Sequence, residues 1–233
     1  MPAAPLCSII VPVYNEANTV RQVIERLLDI SLPVAREVVV VDDGSTDGTR
    51  QVLDGLDGSV RELKVVYAPR NTGKGSAMRL GIQHATGSII AIQDADLELD
   101  PAQLAGLIEP ILRGQADVVY GSRFLAGRPA APLLTIVANR VLTGVTNLLY
   151  GSSLTDMETC YKIMRADVAN ALQLESDRFD IEPEITAKVL RRGHRILELP
   201  VFFQPRPRSE GKKIRWWDGV RALIVLVKYR VGR

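Results

Sequence analysis

Cysteine and histidine are scarce: two of each in 233 residues, Cys7 and Cys160, His84 and His194. Two cysteines cannot build a disulfide framework, and they read as buried thiols of a reducing compartment. Two histidines make a zinc centre or a Ser–His–Asp triad a poor expectation. Chemistry must then rest on carboxylates, Arg and Lys. Long apolar runs are also missing. The longest uninterrupted aliphatic stretch is Ala222–Val227, against the roughly 20 apolar residues of a spanning helix. No basic stretch followed by a long apolar run marks a secretory leader. Aromatic residues are 5% of the chain and do not interleave with the basic ones as base-stacking platforms would, so nucleic acid is not the expected partner. No GxGxxG follows an apolar run, which disfavours a dinucleotide dehydrogenase. Gly73-Lys74-Gly75-Ser76 misses the phosphate-loop spacing, with Ala68 where the first glycine belongs and Gly75 where Ser or Thr is required.

What is present is an ordinary globular balance, 46% hydrophobic and 24% charged. The charge is unevenly spread. From Arg206 to Arg233 nine Lys or Arg face two acids, so this stretch carries +7 and the 205 residues before it −5. Such a tail favours an anionic partner. Apolar runs and helical spacings alternate through the first half. Leu6–Val13, Glu37–Val41, Leu63–Tyr67, Ser88–Gln93 and Asp117–Tyr120 read as strands. Ala17–Ile30, Thr46–Leu56, Ser76–Ala85 and Pro101–Arg113 read as helices. This pattern predicts an α/β fold, a mostly parallel central sheet flanked by helices. Further on, Phe124–Pro132 reads as a loop, Leu133–Tyr150 as a long apolar helix and Thr155–Arg165 as a strand. Asp180–Arg192 reads as a helix, Arg195–Phe203 as a strand and Ile214–Arg230 as a final helix. One compact domain is expected, with a ligand-binding half over about 6–122, a second half over 123–213 and an amphipathic helix over 214–230.

Ligands on parallel sheets sit outside the carboxyl ends of the strands, and the residues there are distinctive. Asp94-Ala95-Asp96 places two carboxylates where both can turn to one hard divalent cation, with Glu98 as a third oxygen donor; the plain alternative is a solvated acidic turn. Asp43, in Asp42-Asp43-Gly44-Ser45, can accept from a nucleobase N–H, or it and Ser45 can cap the next helix. Glu16, in Pro12-Val13-Tyr14-Asn15-Glu16, can accept from ribose hydroxyls or complement a helix start. Tyr14 can lie on a base or belong to the core. The Gly73 and Gly75 pair lets backbone approach a ligand. Arg123, Arg206, Arg208, Lys212 and Lys213 are candidates for a diphosphate clamp, or a solvated basic surface.

The series PVYNE, VDDGSTDGT, NTGKGSA, DAD, GSR and PRPRSEGKKI resembles family 2 glycosyltransferases of the GT-A (Rossmann-like) fold. Within that family it looks most like the polyprenyl-phosphate enzymes, the dolichyl-phosphate mannose and glucose synthase group. The resemblance implies an inverting transfer of a hexose from a nucleotide-diphosphate sugar of the GDP-mannose or UDP-glucose type to a polyprenyl phosphate. By it, Pro12, Tyr14, Glu16, Val41 and Asp43 line the nucleoside. Asp94 and Ala95 border the sugar and diphosphate, with Lys74 beside them. Asp96 and Glu98 hold Mg²⁺ or Mn²⁺, and Arg123, Arg206 and Lys212 grip phosphates. Asp94, Asp96 and Arg123 are the expected catalytic groups. Asp156 joins them as a base if the acceptor is a hydroxyl instead, and Lys162 is expected to hold an acceptor phosphate. Glu98 stands where mannose synthases often have Gln, and Lys162 where Arg is usual. A non-catalytic nucleotide-sugar-binding protein is the competitor from another class. In the last helix Trp216, Val220, Leu223, Ile224 and Val227 share a face that either packs on the core or lies in a lipid headgroup layer. The second option implies peripheral attachment to the cytoplasmic face of a membrane.

Overall fold

A computed structural model describes residues 4–58, 60–206 and 216–232. Seven strands form one sheet in the order β3-β2-β1-β4-β6-β5-β7. They are β1 (Leu6–Val13), β2 (Ala35–Asp42), β3 (Leu63–Tyr67), β4 (Ile89–Ile92), β5 (Val118–Ser122), β6 (Lys162–Arg165) and β7 (Ile196–Pro200). The pairs β1–β2, β1–β4, β2–β3 and β5–β7 are parallel. Only β6 runs against its neighbours, between β4 and β5. The central strands are continuous Ile and Val runs with both faces covered; Ile9, Ile10, Val38, Val39 and Val40 are all buried, as a parallel sheet under helices requires. The first-half helices are α1 (Val20–Asp29), α2 (Thr49–Asp54), α3 (Lys74–His84) and α4 (Leu104–Leu112). The second half adds α5 (Leu133–Tyr150), α6 (Ala166–Ala171), α7 (Ile181–Arg191) and α8 (Trp216–Val231).

The α/β expectation holds, and Leu133–Tyr150 falls where the apolar spacing placed it. Two stretches differ. Helix α1 starts at Val20 rather than Ala17, and the Ala17 amide donates to Asp47 Oδ2 (3.2 Å). Residues 155–161 are not strand. Over 155–159 the backbone bonds go to side chains instead: Thr155 N and Asp156 N donate to Glu198 (2.7 and 2.9 Å), while the carbonyls of Met157 and Thr159 accept from Lys162 Nζ; Tyr161 O already accepts from Gly121 N of β5 (2.9 Å). Only Lys162–Arg165 joins the sheet.

A second apolar cluster lies off the sheet, where α8 meets α5 and α7 through Leu142, Met157, Ala187, Ala222, Leu226 and Tyr229. Glu184 of α7 fixes that junction. It accepts from the amides of Glu175 and Ser176 and from the Tyr229 hydroxyl (2.9 Å). Helix α8 packs through a different face from the one its apolar spacing singled out. Ala222, Val225 and Leu226 are buried, while Val220, Ile224 and Val227, with Trp217, stay exposed. The inward face of helix α5 is mostly polar: Asn139, Thr143 and Thr146 join Leu142 there, while Leu133, Leu134, Val137, Val141 and Leu148 face out. Although no uninterrupted run is long, α5 as a whole has the length and mean hydropathy (18 residues, 1.3) of a spanning segment, with 22% of it buried.

Candidate active site

The carboxyl ends of β1, β2 and β4 carry the acids that the sequence singled out, and the structure brings them together. Leu97 is the hinge of the Asp94–Glu98 turn. Its φ of 61° is a left-handed conformation that costs a branched residue about 1–2 kcal/mol. In this turn the Glu98 amide donates to Asp96 Oδ1 (3.1 Å). Arg206, more than a hundred residues away in sequence, closes over the same acids. Its Nη1 donates to Glu16 Oε2 (2.9 Å), and its Nη2 to Glu16 Oε1 (3.3 Å) and Asp96 Oδ2 (3.0 Å). Its amide donates to Glu98 Oε1 (2.9 Å). The strap that delivers Arg206 is pinned by Gln204 N donating to the Glu98 carbonyl and by the Leu99–Phe203 bridge. Lys74, at the start of α3, ion-pairs with Asp94 Oδ1 at 2.8 Å.

Negative charge is in surplus here. Burial, then the charges of Asp94 and Glu98, push Asp96 up to about 7, and Arg206 pulls the other way. Asp94 is held below the usual carboxylate range: burial raises it, but the Lys74 ammonium and its hydrogen bond outweigh that. No group of three His, Cys, Asp or Glu converges as a ready cation cage among the described residues. An all-oxygen pair with excess negative charge still fits a hard divalent ion that shares its ligands with substrate phosphates. Asp96 and Glu98 are the residues that would hold it.

Asp43 reaches the rim, yet its carboxylate is committed to the 71–74 turn. Oδ1 accepts from Thr72 N (2.9 Å) and Thr72 Oγ1 (3.1 Å), and Oδ2 from Gly73 N (2.7 Å). Neither it nor Ser45 caps α2; the Ser45 hydroxyl instead takes the Asn15 amide (2.9 Å). Gly44 allows this packing. It sits at φ 70°, and a Cβ there would lie 2.6 Å from Asn71 N. Pro12 and Tyr14 are half-buried, and Val41 and Ala95 are buried, around the same edge. The Gly73 and Gly75 pair makes room for this chain's own backbone: a Cβ on them would meet Asp177 O at 2.4 Å and Ser176 O at 2.3 Å.

Two expectations on the second half run against the geometry. Asp156 is no base. It is buried, accepts from Arg123 N, Nε and Nη2 (3.0, 2.7 and 2.8 Å) and from Asn139 Nδ2 (2.9 Å), and stays ionised below the usual range. Burial acts against that ionisation, but the Arg123 guanidinium and these bonds prevail. Arg123 is correspondingly anchored by one edge of its guanidinium; Nη1 meets no partner among the described residues. Lys162 cannot reach an acceptor phosphate. Its side chain is fully buried, and its ammonium donates to Met157 O (3.0 Å), Thr159 O and Glu182 Oε2 (2.6 Å). Arg208, Lys212 and Lys213 of the expected clamp lie outside the described residues.

Glu182 and Glu158 were not singled out by the sequence. An acid in the first turn of α7 reads as dipole complementarity, and Glu158 sat in a stretch read as strand. The only signal was that Glu182 and Thr186 lie four apart on a helix otherwise carried by Ile181, Ile185 and Val189.

A mostly parallel sheet with acids and basic groups gathered at its carboxyl edge, closed by a late arginine, defines an α/β protein with its polar site at that edge. The chain belongs to glycosyl transferase family 2, whose family model matches residues 8–172. It is 30% identical over 215 residues to glycosyltransferase AglD of Haloferax volcanii, covering 89% of this chain and about a third (34%) of that protein. It is 30% identical over 246 residues to undecaprenyl-phosphate mannosyltransferase of Micrococcus luteus, 93% of this chain and 98% of that protein. The solved structure of glucosyl-3-phosphoglycerate synthase from Mycobacterium tuberculosis, in complex with Mn²⁺, UDP and phosphoglyceric acid, matches with a TM-score of 0.74. Identity is 18%, over 97% of this chain and 79% of that one, a likeness of fold. The GT-A fold and the glycosyltransferase class that the motifs implied are thereby borne out.

Proposed function

We propose that this glycosyltransferase moves a hexose from a nucleotide-diphosphate sugar to a polyprenyl phosphate, in a divalent-metal-dependent, inverting displacement at a membrane surface. The observation that carries the reading is the convergence of Glu16, Asp96, Glu98 and Arg206 on one rim. A diphosphate with its cation matches this mixed charge. When bound, the cation neutralises charge on the leaving diphosphate. Arg206 exchanges its carboxylate partners for phosphate oxygens, to which a guanidinium donates in pairs. Lys74 keeps Asp94 ionised and fixed beside the sugar. An acceptor phosphate oxygen attacks the anomeric carbon, the bond from that carbon to the nucleoside diphosphate breaks, and the diphosphate leaves with the electron pair. A phosphate monoester, with its second pKa near 6, is largely ionised at neutral pH and needs no base. That suits a site whose one candidate base, Asp156, is occupied.

The relative from Micrococcus luteus acts, by its name, on undecaprenyl phosphate, which supports the lipid acceptor. The outward leucines of α5 and the exposed Trp217, Val220, Ile224 and Val227 of α8 support peripheral contact with the cytoplasmic face of a membrane. Residues of about 6–122 serve the donor and those of 123–213 the acceptor. The test is a donor panel (GDP-mannose, UDP-glucose, UDP-N-acetylglucosamine) with Mg²⁺ or Mn²⁺ and a short polyprenyl phosphate, read by mass spectrometry. A glycosylated polyprenyl phosphate from one donor is expected. Transfer to hydroxyl acceptors alone would overturn the proposal.

A further inference from the structure

Beneath the rim the Lys74–Asp94 pair continues into a chain of buried charges, Glu182 and Lys162, that none of the roles above uses. Asp94 pairs with Lys74 at 2.8 Å, and Lys74 lies 2.9 Å from Glu182 Oε1. The second contact is close without hydrogen-bond alignment. Glu182 Oε2 accepts from Lys162 Nζ at 2.6 Å, and Lys162 in turn donates to the carbonyls of Met157 and Thr159. The Lys162 side chain is fully buried and that of Glu182 is 5% exposed. One end of the chain is the donor-side aspartate; the other is the irregular segment 155–161 that carries Asp156 and, through it, Arg123. Removing one member of a buried ion pair leaves the other uncompensated, so such a chain has essentially one arrangement.

We infer that Glu182 is a positioning residue that sets the donor-side Asp94 and the 155–161 segment in mutual register by bridging Lys74 and Lys162. The inference rests on the reading of the rim as the donor site. Two charged neighbours bind opposite oxygens of one carboxylate. A shift of Lys74 as a diphosphate sugar loads against Asp94 therefore moves Glu182, Lys162 and the carbonyls of residues 157 and 159. Nothing in the fold alone demands this: α7 already packs through Ile181, Ile185 and Val189, all buried. Misplacement of reacting groups by an ångström costs about a hundredfold in rate, whereas nucleotide affinity resides in the rim itself.

The test uses the full chain. Titration with UDP and with GDP in the presence of Mn²⁺ measures nucleotide affinity. Transfer from UDP-glucose and GDP-mannose to a short polyprenyl phosphate gives kcat and KM. In Glu182→Gln, affinity and donor KM are expected to hold while kcat falls about a hundredfold. Lys162→Met, which leaves Glu182 paired to Lys74, is expected to behave alike. The double variant should be no slower than Glu182→Gln, because residues acting as one unit are not additive. Wild-type kcat in either folded variant overturns the inference. Should Glu182→Gln fail to fold, Lys162→Met decides. Hydrogen exchange on the wild type needs no variant: nucleotide with Mn²⁺ is expected to slow exchange of the 157–161 amides, and no change there overturns the inference. If the wild type binds neither nucleotide, the donor reading fails and takes this inference with it. Binding with unchanged kcat in the variants defeats the inference alone.

Discussion

Glu158 offers a quantitative prediction on stability. Its Oε1 is shut away from solvent and accepts no hydrogen bond. Burial, then the charge of Glu182 and lastly that of Asp156, raise its carboxyl to about 7, against the opposing pull of Lys162 and Arg123. A carboxyl whose folded pKa lies above its unfolded value of 4.5 binds protons more tightly in the native state. Stability from this group is therefore full below about pH 4.5 and is lost as pH rises to about 7. The rise of about 2.5, at roughly 1.4 kcal/mol for each pH unit, sets a ceiling of about 3.5 kcal/mol. The side chain as a whole is only half-buried, so solvent screening reduces this to about 1.5 kcal/mol. Glu158→Gln removes the ionisation and keeps the shape. At pH 8 it is expected to raise Tm by about 3–6 °C, since 1 kcal/mol moves a domain of this size by about 2–4 °C. At pH 4.5 the gain should vanish. Thermal melts followed by circular dichroism at both pH values make the comparison. An equal shift at both, or a loss of stability at pH 8, would refute the reasoning.

Three further outcomes are expected. Asp156→Asn strips Arg123 of its charged partner and should cost about 3 kcal/mol, visible as a Tm lowered by roughly 6–12 °C; lost activity at unchanged Tm would restore a role as base. Gly75→Ala forces a Cβ to within 2.3 Å of Ser176 O. It should destabilise by about 1–3 kcal/mol in denaturant titration and weaken nucleotide binding by displacing Lys74. Leu134→Glu with Ile224→Glu alters two side chains that are 78% and 61% exposed. Sedimentation with anionic vesicles should fall while Tm stays put, and undiminished sedimentation would locate membrane contact elsewhere.

The sheet and the acidic rim were legible because both follow from local rules. Short β-branched runs bounded by turn residues and alternating with helical spacings read as buried parallel strands, and the polar residues just after them then lie at the carboxyl edge. The rest depended on contacts distant in sequence. Residues 155–161 have the composition of a strand, yet Glu198 and Lys162 supply the hydrogen bonds that a sheet neighbour would have supplied. Asp43, Asp156 and Lys162 were found as polar groups near the site. Their partners, the 71–74 turn, Arg123 and Glu182, converted expected substrate contacts into internal supports. Glycines 73 and 75 read as places where backbone approaches a ligand, and the structure fills that space with protein. What approaches is the 176–178 backbone, a neighbour a hundred residues away that no spacing reveals.

The central claim is that Asp96 and Arg206, 3.0 Å apart, act on one diphosphate. Calorimetric titration of UDP and GDP into the wild type, Asp96→Ala and Arg206→Ala, with and without Mn²⁺, tests it most directly. The wild type should bind one of the two nucleotides only with the metal present. Asp96→Ala should lose the metal dependence, and Arg206→Ala should bind about 10–100-fold more weakly, the worth of a charged hydrogen-bonding group. Equal affinity and equal metal dependence in all three proteins would contradict the account.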